Sequence, residues 1–534
     1  MLAIAARIRR ILPGLALTLL ALPVVAATPA TDSNPTVRID SGTLAGLHAA
    51  ATGLDEFRGI PYAAPPVGAL RWKPPQRVAA WTGTRAADNF GPRCMQISLL
   101  SDMVFRSDGM SEDCLYLNVW TPAGSEGEKL PVLVYFYGGG FVGGDGSEFR
   151  YDGASLAQRG IVTVTVNYRL GVFGFLALPA LADESPHHAA GDYGMLDQVA
   201  ALRWVHRNIA AFGGDPDQVT IGGESAGSMS VSALMASPLS KGLLQRAIGE
   251  SGAVLANLAP WSLAKAEQQG GIFEKHVGAH SLAALRAMPA SVLLAATSDK
   301  DAAKIMVDAD GWFLPRAPEA IYKSGAQAHI PLLVGSNSGE GSWKQLLGDE
   351  PPTPANYRAA VERRFGRHAS EALKLYPGNN ETGVKASGTA LMGDEFIALA
   401  TWRWMQWQRE TGGAPVYYYW FTKARPATHD GSAGADEAAV HSGEIEYALG
   451  NLATNRVFAW TQADGKVSAT MEGYFANFIK TGDPNGSGLP HCPAATPKDG
   501  GLLRQEIGTD THTIVDRDAA RYEFLQRIGA GILP

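Results

Sequence analysis

Four times along the chain, a short apolar or β-branched run gives way to a glycine-rich turn and then to a helix-like stretch. "LPVLVYFY" runs into "GGGFVGG", "GIVTVTVNYR" into "LGVFGFL", "QVTIGG" into "ESAGSMSVSALMA", and "IPLLVGSN" into "SGEGSW". A fifth, aromatic run, "PVYYYWF", precedes a polar segment that reaches "VHSGEIEYALG". Strands this continuously apolar are buried on both faces, which calls for a large, mostly parallel sheet flanked by helices. In such sheets the chemistry lies beyond the carboxyl ends of the strands. The loops just quoted are therefore the places to look. Two stretches of lower strand density, about 255–325 and about 345–410, read as helical excursions that wall a pocket.

Composition sets the outer limits. At 534 residues, with 46% hydrophobic and 18% charged, the chain can bury a sizeable core. A net charge of -7 argues against a nucleic-acid or anionic-membrane partner, which would want a basic face. The first 26 residues read as a secretory signal. Arg7, Arg9 and Arg10 precede an apolar run that ends in small residues near Ala26 and is broken by Pro13 and Pro23. Its removal takes three positive charges and leaves a mature chain of charge -10, read as a single domain over 27–534 with no membrane span. A secreted or periplasmic location follows as the expectation.

The three cysteines agree with an oxidising compartment, since they allow one disulfide and leave one thiol. Cys94 with Cys114 is the favoured pair, closing a loop worth about 3 kcal/mol on the chain-entropy account. Cys492 is then a buried small apolar residue. Without a close cysteine pair or histidines at ligand spacing, neither a metal nor a cofactor is expected.

Gly223-Glu224-Ser225-Ala226-Gly227 follows the strand "QVTIG" and opens a helix. A serine on so sharp a strand-to-helix turn is pushed out above the sheet, and the flanking glycines keep side chains out of the neighbouring backbone. The helix also turns its positive end toward developing negative charge. Tyr137-Gly138-Gly139-Gly140-Phe141 sits at another strand end. Its backbone N–H groups, with that of Ala226, form a candidate oxyanion hole in which one donor is worth about 3 kcal/mol. A phosphate loop is excluded by the lack of a following G-K-[ST]. For a serine nucleophile an acid and then a histidine must follow. Glu340 is best placed, in the turn after "IPLLVG"; Asp308 and Asp310 precede that strand. His429 and His441 both follow the aromatic strand, and spacing does not separate them.

Taken together these segments resemble the type-B carboxylesterase family. The resemblance is carried by "FRGIPYAAPPVGALRWKPPQ", "SEDCLYLNVWTP", "YFYGGGFVGG", "GESAG", "VGSNSGEGS" and "VHSGEIEYALG", and extends to "FANFIKTGDPNG". It implies the α/β-hydrolase fold, with Ser225 as nucleophile, Glu340 as acid and His441, rather than His429, as base. It puts Gly139, Gly140 and Ala226 on the oxyanion-hole positions and supports the Cys94–Cys114 bridge. It also makes Ser251 in "AIGESGAV" a support for the acid and base, with Glu224 a neighbour that adds negative potential or serves structure.

The implied reaction is hydrolysis of a small-molecule carboxylic ester through an acyl-enzyme. Cholinesterases carry a tryptophan in the disulfide loop to pack against quaternary ammonium. Residues 95–113 here have none, and Arg106 stands there instead. That departure raises a bulky or polycarboxylate ester of the fumonisin type as a substrate, with Arg106 either greeting the acyl group or simply solvated. Two other readings compete. One is a lipase lidded by Ile97, Leu99, Leu100, Met103, Val104 and Phe105. The other is a catalytically silent binding relative, which the intact Ser225, Glu340 and His441 oppose.

Overall fold

The apolar runs do become the centre of a sheet. The computed structural model describes residues 34–97, 103–125 and 127–529, so the expected signal segment, Leu99 and Leu100 lie outside the described residues. Seven strands run parallel: β1 (Leu130–Phe136), β2 (Val162–Val166), β3 (Gly214–Glu224), β4 (Arg246–Glu250), β5 (Leu332–Asn337), β6 (Val416–Phe421) and β7 (Gly501–Ile507). In space they lie in the order β7-β6-β5-β4-β3-β1-β2. Beyond β2, Tyr116–Pro122 and Leu54–Pro61 continue the sheet antiparallel, followed by Leu47–Ala49. Pro497–Lys498 and His512–Asp516 pair antiparallel with β7, giving twelve strands among the described residues.

Every residue of β2 and β5 is buried, as strands covered on both faces must be. Each fully buried Val or Leu side chain there contributes about 1.5–3 kcal/mol of transfer free energy. Helices supply the covering layers. Tyr193–Asn208 and Ala226–Ala236 cross between parallel strands, and Gln462–Thr481 lies between β6 and β7 in the chain. The two low-strand stretches are helical as expected: Leu263–His276 and Pro318–Lys323 in the first, Pro354–Phe365, Glu381–Gly393 and Leu399–Thr411 in the second. Between the last two helices the chain makes a wide π turn over Asp394–Ala398. Such insertions are frequent beside functional sites.

The expected disulfide is formed between Cys94 and Cys114, and Cys492 is a free, buried thiol. The bridged loop is fastened to the glycine loop after β1. The Gln96 side chain donates to the Gly144 carbonyl at 2.8 Å and accepts from the Gly144 N–H at 2.9 Å. Among the described residues no helix is long and apolar enough to cross a membrane.

Candidate active site

The carboxyl ends of β3, β4, β5 and the loop after β6 meet at one point. β3 ends at Glu224, and Ser225 turns the chain into the helix Ala226–Ala236 with φ 57° and ψ -120°. A positive φ on a residue with a side chain costs free energy and persists only where the surroundings enforce it. Here they do: a Cβ on Gly223 would stand 2.6 Å from the Phe136 carbonyl oxygen, and one on Gly227 would stand 2.0 Å from it. Only glycine lets the elbow and the end of β1 approach this closely.

Around the serine, the His441 Nε2 lies 2.9 Å from Ser225 Oγ, and its Nδ1 lies 2.6 Å from Glu340 Oε2. Glu340 is held in turn. Its other oxygen accepts from Ser251 Oγ at 2.5 Å and from the Asn337 backbone N–H at 2.7 Å. The histidine segment is docked on the acid segment by a short bridge between Gly339 and Val440. His429, by contrast, is exposed and bonds through its backbone to Val457. The glycine loop after β1 lies against the elbow: a Cβ on Gly138 would be 2.7 Å from the Glu224 carbonyl and 3.1 Å from the Ser225 Cβ. Gly139 and Gly140 take φ of 106° and 63°, and Ala226 opens its helix, so its N–H has no partner within that helix.

The carboxylesterase family model matches residues 33–524. The chain belongs to the carboxylesterase family. Its relatives in that family of ester hydrolases include a fumonisin B1 esterase of Sphingopyxis macrogoltabida, 37% identical over 503 residues, covering 89% of this chain and 86% of the relative. A para-nitrobenzyl esterase of Bacillus subtilis (strain 168) is 36% identical over 448 residues, covering 81% of this chain and 87% of the relative. The human cocaine esterase is 35% identical over 494 residues, covering 85% and 84%. A solved PNB esterase structure superimposes with a TM-score of 0.77 at 33% identity, covering 92% of this chain and 99% of that one, and so shares the α/β-hydrolase architecture.

The electrostatics of this family member are set by an excess of buried acid. Glu224 Oε1 lies 3.2 Å from His441 Nε2, and burial pushes its carboxyl up to about 8. The charged His441 ring beside it works the other way and favours the ionised carboxylate. Burial works against charge on the His441 ring, yet Glu224, Glu340 and Glu444 together lift it to about 10. The ring keeps 25% of its side chain exposed and meets the Phe396 ring edge-on at 5.0 Å.

Arg106 is engaged by the segment after the glycine loop. Its Nε donates to the Ser147 carbonyl and its Nη1 to Asp152, both at 2.6 Å, and its guanidinium lies over the Phe90 and Phe149 rings. Its charge is therefore answered by Asp152, and its contacts fasten the bridged loop to the segment 147–152. Among the described residues no His, Cys, Asp or Glu group is arranged to hold a metal ion. Sequence reasoning missed Asn337, Phe396, Glu250 and Glu444. Glu250 had a visible signal, being a lone charge in "AIGESGAV" beside Ser251, whereas Glu444 shares its run with Glu446.

Proposed function

We propose that the chain is a secreted serine carboxylesterase working through an acyl-enzyme on Ser225. The observation that carries this reading is the unbroken line of contacts from Ser225 Oγ through the His441 ring to Glu340, at 2.9 and 2.6 Å. His441 takes the hydroxyl proton as Ser225 attacks the ester carbonyl, while Glu340 fixes the tautomer and stabilises the imidazolium. Backbone N–H groups of Gly139, Gly140 and Ala226 receive the tetrahedral oxyanion. His441 returns the proton to the departing alcohol, and water then repeats the sequence on the acyl-enzyme. Ser251 and Asn337 support this by holding the second oxygen of Glu340.

The Arg-led apolar leader and the disulfide favour an oxidising destination outside the cytoplasm. For substrate, we infer a bulky polycarboxylate ester of the fumonisin type. The 37% identity to a fumonisin B1 esterase over most of both chains supports it. Arg106 takes no part in that inference.

The test is labelling with a fluorophosphonate and mapping of the adduct, with turnover of p-nitrophenyl acetate measured beside it. An adduct on Ser225, lost together with turnover in Ser225→Ala, is expected. A folded protein with neither label nor turnover would leave only a binding role. kcat/KM for fumonisin B1 is expected to exceed that for a simple butyrate ester. A preference for long-chain emulsions would point to a lipase.

A further inference from the structure

Beneath the triad lies a row of polar groups that the reaction as written does not use. Register across the sheet aligns Glu224 of β3 with Glu250 of β4, Glu250 with Gly335 of β5, and Gly335 with Tyr419 of β6. Partners aligned across neighbouring strands project on one face. Gly335 adds no side chain to the row. A Cβ there would meet the Tyr419 ring at 2.4 Å, so the ring lies over the glycine.

Glu444, from the histidine segment, completes the group. One of its oxygens accepts from the Asn337 side chain, and the other lies 3.5 Å from Ser251 Oγ, the hydroxyl already bonded to Glu340. Glu250 accepts from Tyr135 O–H at 3.0 Å. Glu224, Glu250 and Glu444 are each no more than 2% exposed. Yet Glu224 Oε1, Glu250 Oε2 and the Tyr419 hydroxyl make no hydrogen bond among the described residues.

Three carboxyls, Glu224, Glu340 and Glu444, thus act on one imidazole, and Glu250 stands behind Glu224 and Glu444. The Tyr135, Tyr151 and Tyr419 hydroxyls around them are neutral, and the cation among their neighbours is Arg150, which acts on Glu224. Buried like charges this close cannot all be ionised together.

We propose that Glu444 is a positioning residue for His441: a buried carboxyl, backed by Glu250 and reached through Ser251 and Asn337, whose ionisation strengthens the catalytic base. The inference rests on the triad roles proposed above. Burial and then the Glu340 charge place Glu444 near 7, within the working range of an esterase, whereas burial and Glu444 hold Glu250 well above the carboxylate range. Geometry agrees: Glu250 Oε2 meets no donor and suits a protonated carboxyl, whereas Glu444 accepts from the Asn337 amide, which favours its ionised form. Each ionised Glu444 favours the imidazolium, so His441 must give up its proton against a rising pull. The acid limb of activity is spread over more than one proton as a result.

The experiment is the pH profile of kcat/KM for p-nitrophenyl acetate, run beside the pH dependence of fluorophosphonate labelling of Ser225, on the full-length enzyme. In Glu444→Gln the acid limb is expected to move to lower pH by about one unit and to steepen to a single ionisation. Glu444→Asp is expected to bring it back toward wild type. Asn337→Ala removes the hydrogen bond that favours ionised Glu444, leaves the backbone bond to Glu340, and is expected to shift the limb in the same direction. It carries the test if Glu444→Gln does not fold. A folded variant whose acid limb stays in place would overturn the proposal, as would a shift in Glu250→Gln as large as in Glu444→Gln. Failure of the triad reading is distinct, since wild type itself would then show neither turnover nor label.

Discussion

Replacing Gly227 by alanine tests how far the proposed chemistry depends on the close approach of elbow and sheet. The new Cβ would stand 2.0 Å from the Phe136 carbonyl oxygen, 2.9 Å from its carbon and 3.1 Å from the Tyr137 carbonyl carbon. Ordinary contact begins at 3.4 Å, so the elbow and the end of β1 must part by about 1.4 Å. All three obstructing atoms are backbone, and none can swing aside as a side-chain tip would. The parting falls between the nucleophile and the Gly138–Gly140 loop, the two parts that must close on one carbonyl group. A misplacement of about 1 Å at reacting groups costs on the order of 100-fold in rate. The overpacking itself costs about 1–3 kcal/mol of stability.

Gly227→Ala is therefore expected to fold with a lowered Tm and to lose about 100-fold or more in kcat on p-nitrophenyl acetate. Gly271→Ala is the control. It lies in the helix Leu263–His276 with nothing within 4 Å of its Cβ position, and it is expected to gain about 0.5–1 kcal/mol while keeping full activity. Gly227→Ala with a kcat within a few-fold of wild type would refute the reasoning.

Three further outcomes are expected. Glu340→Gln keeps the shape of the acid but not its charge, and steady-state kinetics are expected to show kcat lower by about 10⁴-fold with Tm little changed. Replacing Cys94 and Cys114 by serine opens a loop of sequence separation 20 and is expected to cost about 3 kcal/mol in denaturant titration. Asp308 is fully buried, with neither carboxylate oxygen hydrogen-bonded among the described residues, and burial followed by the Asp310 and Glu267 charges raises it well above its ordinary 3.8. A raised acid supports the fold below that ordinary value and loses its contribution as pH climbs. Calorimetry of Asp308→Asn is thus expected to show a higher Tm in mildly alkaline buffer and no gain in acid.

The parallel strands were legible because their burial on both faces is written as unbroken apolar sequence, as in "VTVTV" and "LLVGSN", both wholly buried. The elbow was legible for a local reason too: Gly223 and Gly227 flank a residue forced to positive φ. Spacing did not choose between His429 and His441, since both follow β6; the resemblance carried by "VHSGEIEYALG" chose His441, and in space the bridge of Val440 to Gly339 brings that ring to Ser225. The partner of Arg106 was not legible, because a charge in this loop gives no hint of an acid 46 positions further on. That Glu250 and Glu444 meet arises from the packing of separate strands and loops, and no local pattern encodes their convergence.

Ser225 and His441 are 216 positions apart along the chain and 2.9 Å apart in space. A ribosome must therefore add more than two hundred residues after the nucleophile before its partner exists. Until β5 and β6 have docked in order, the serine is an ordinary alcohol. Nascent fragments that stop short of His441 lack the base, and hydrolytic power has to wait for the late part of the chain.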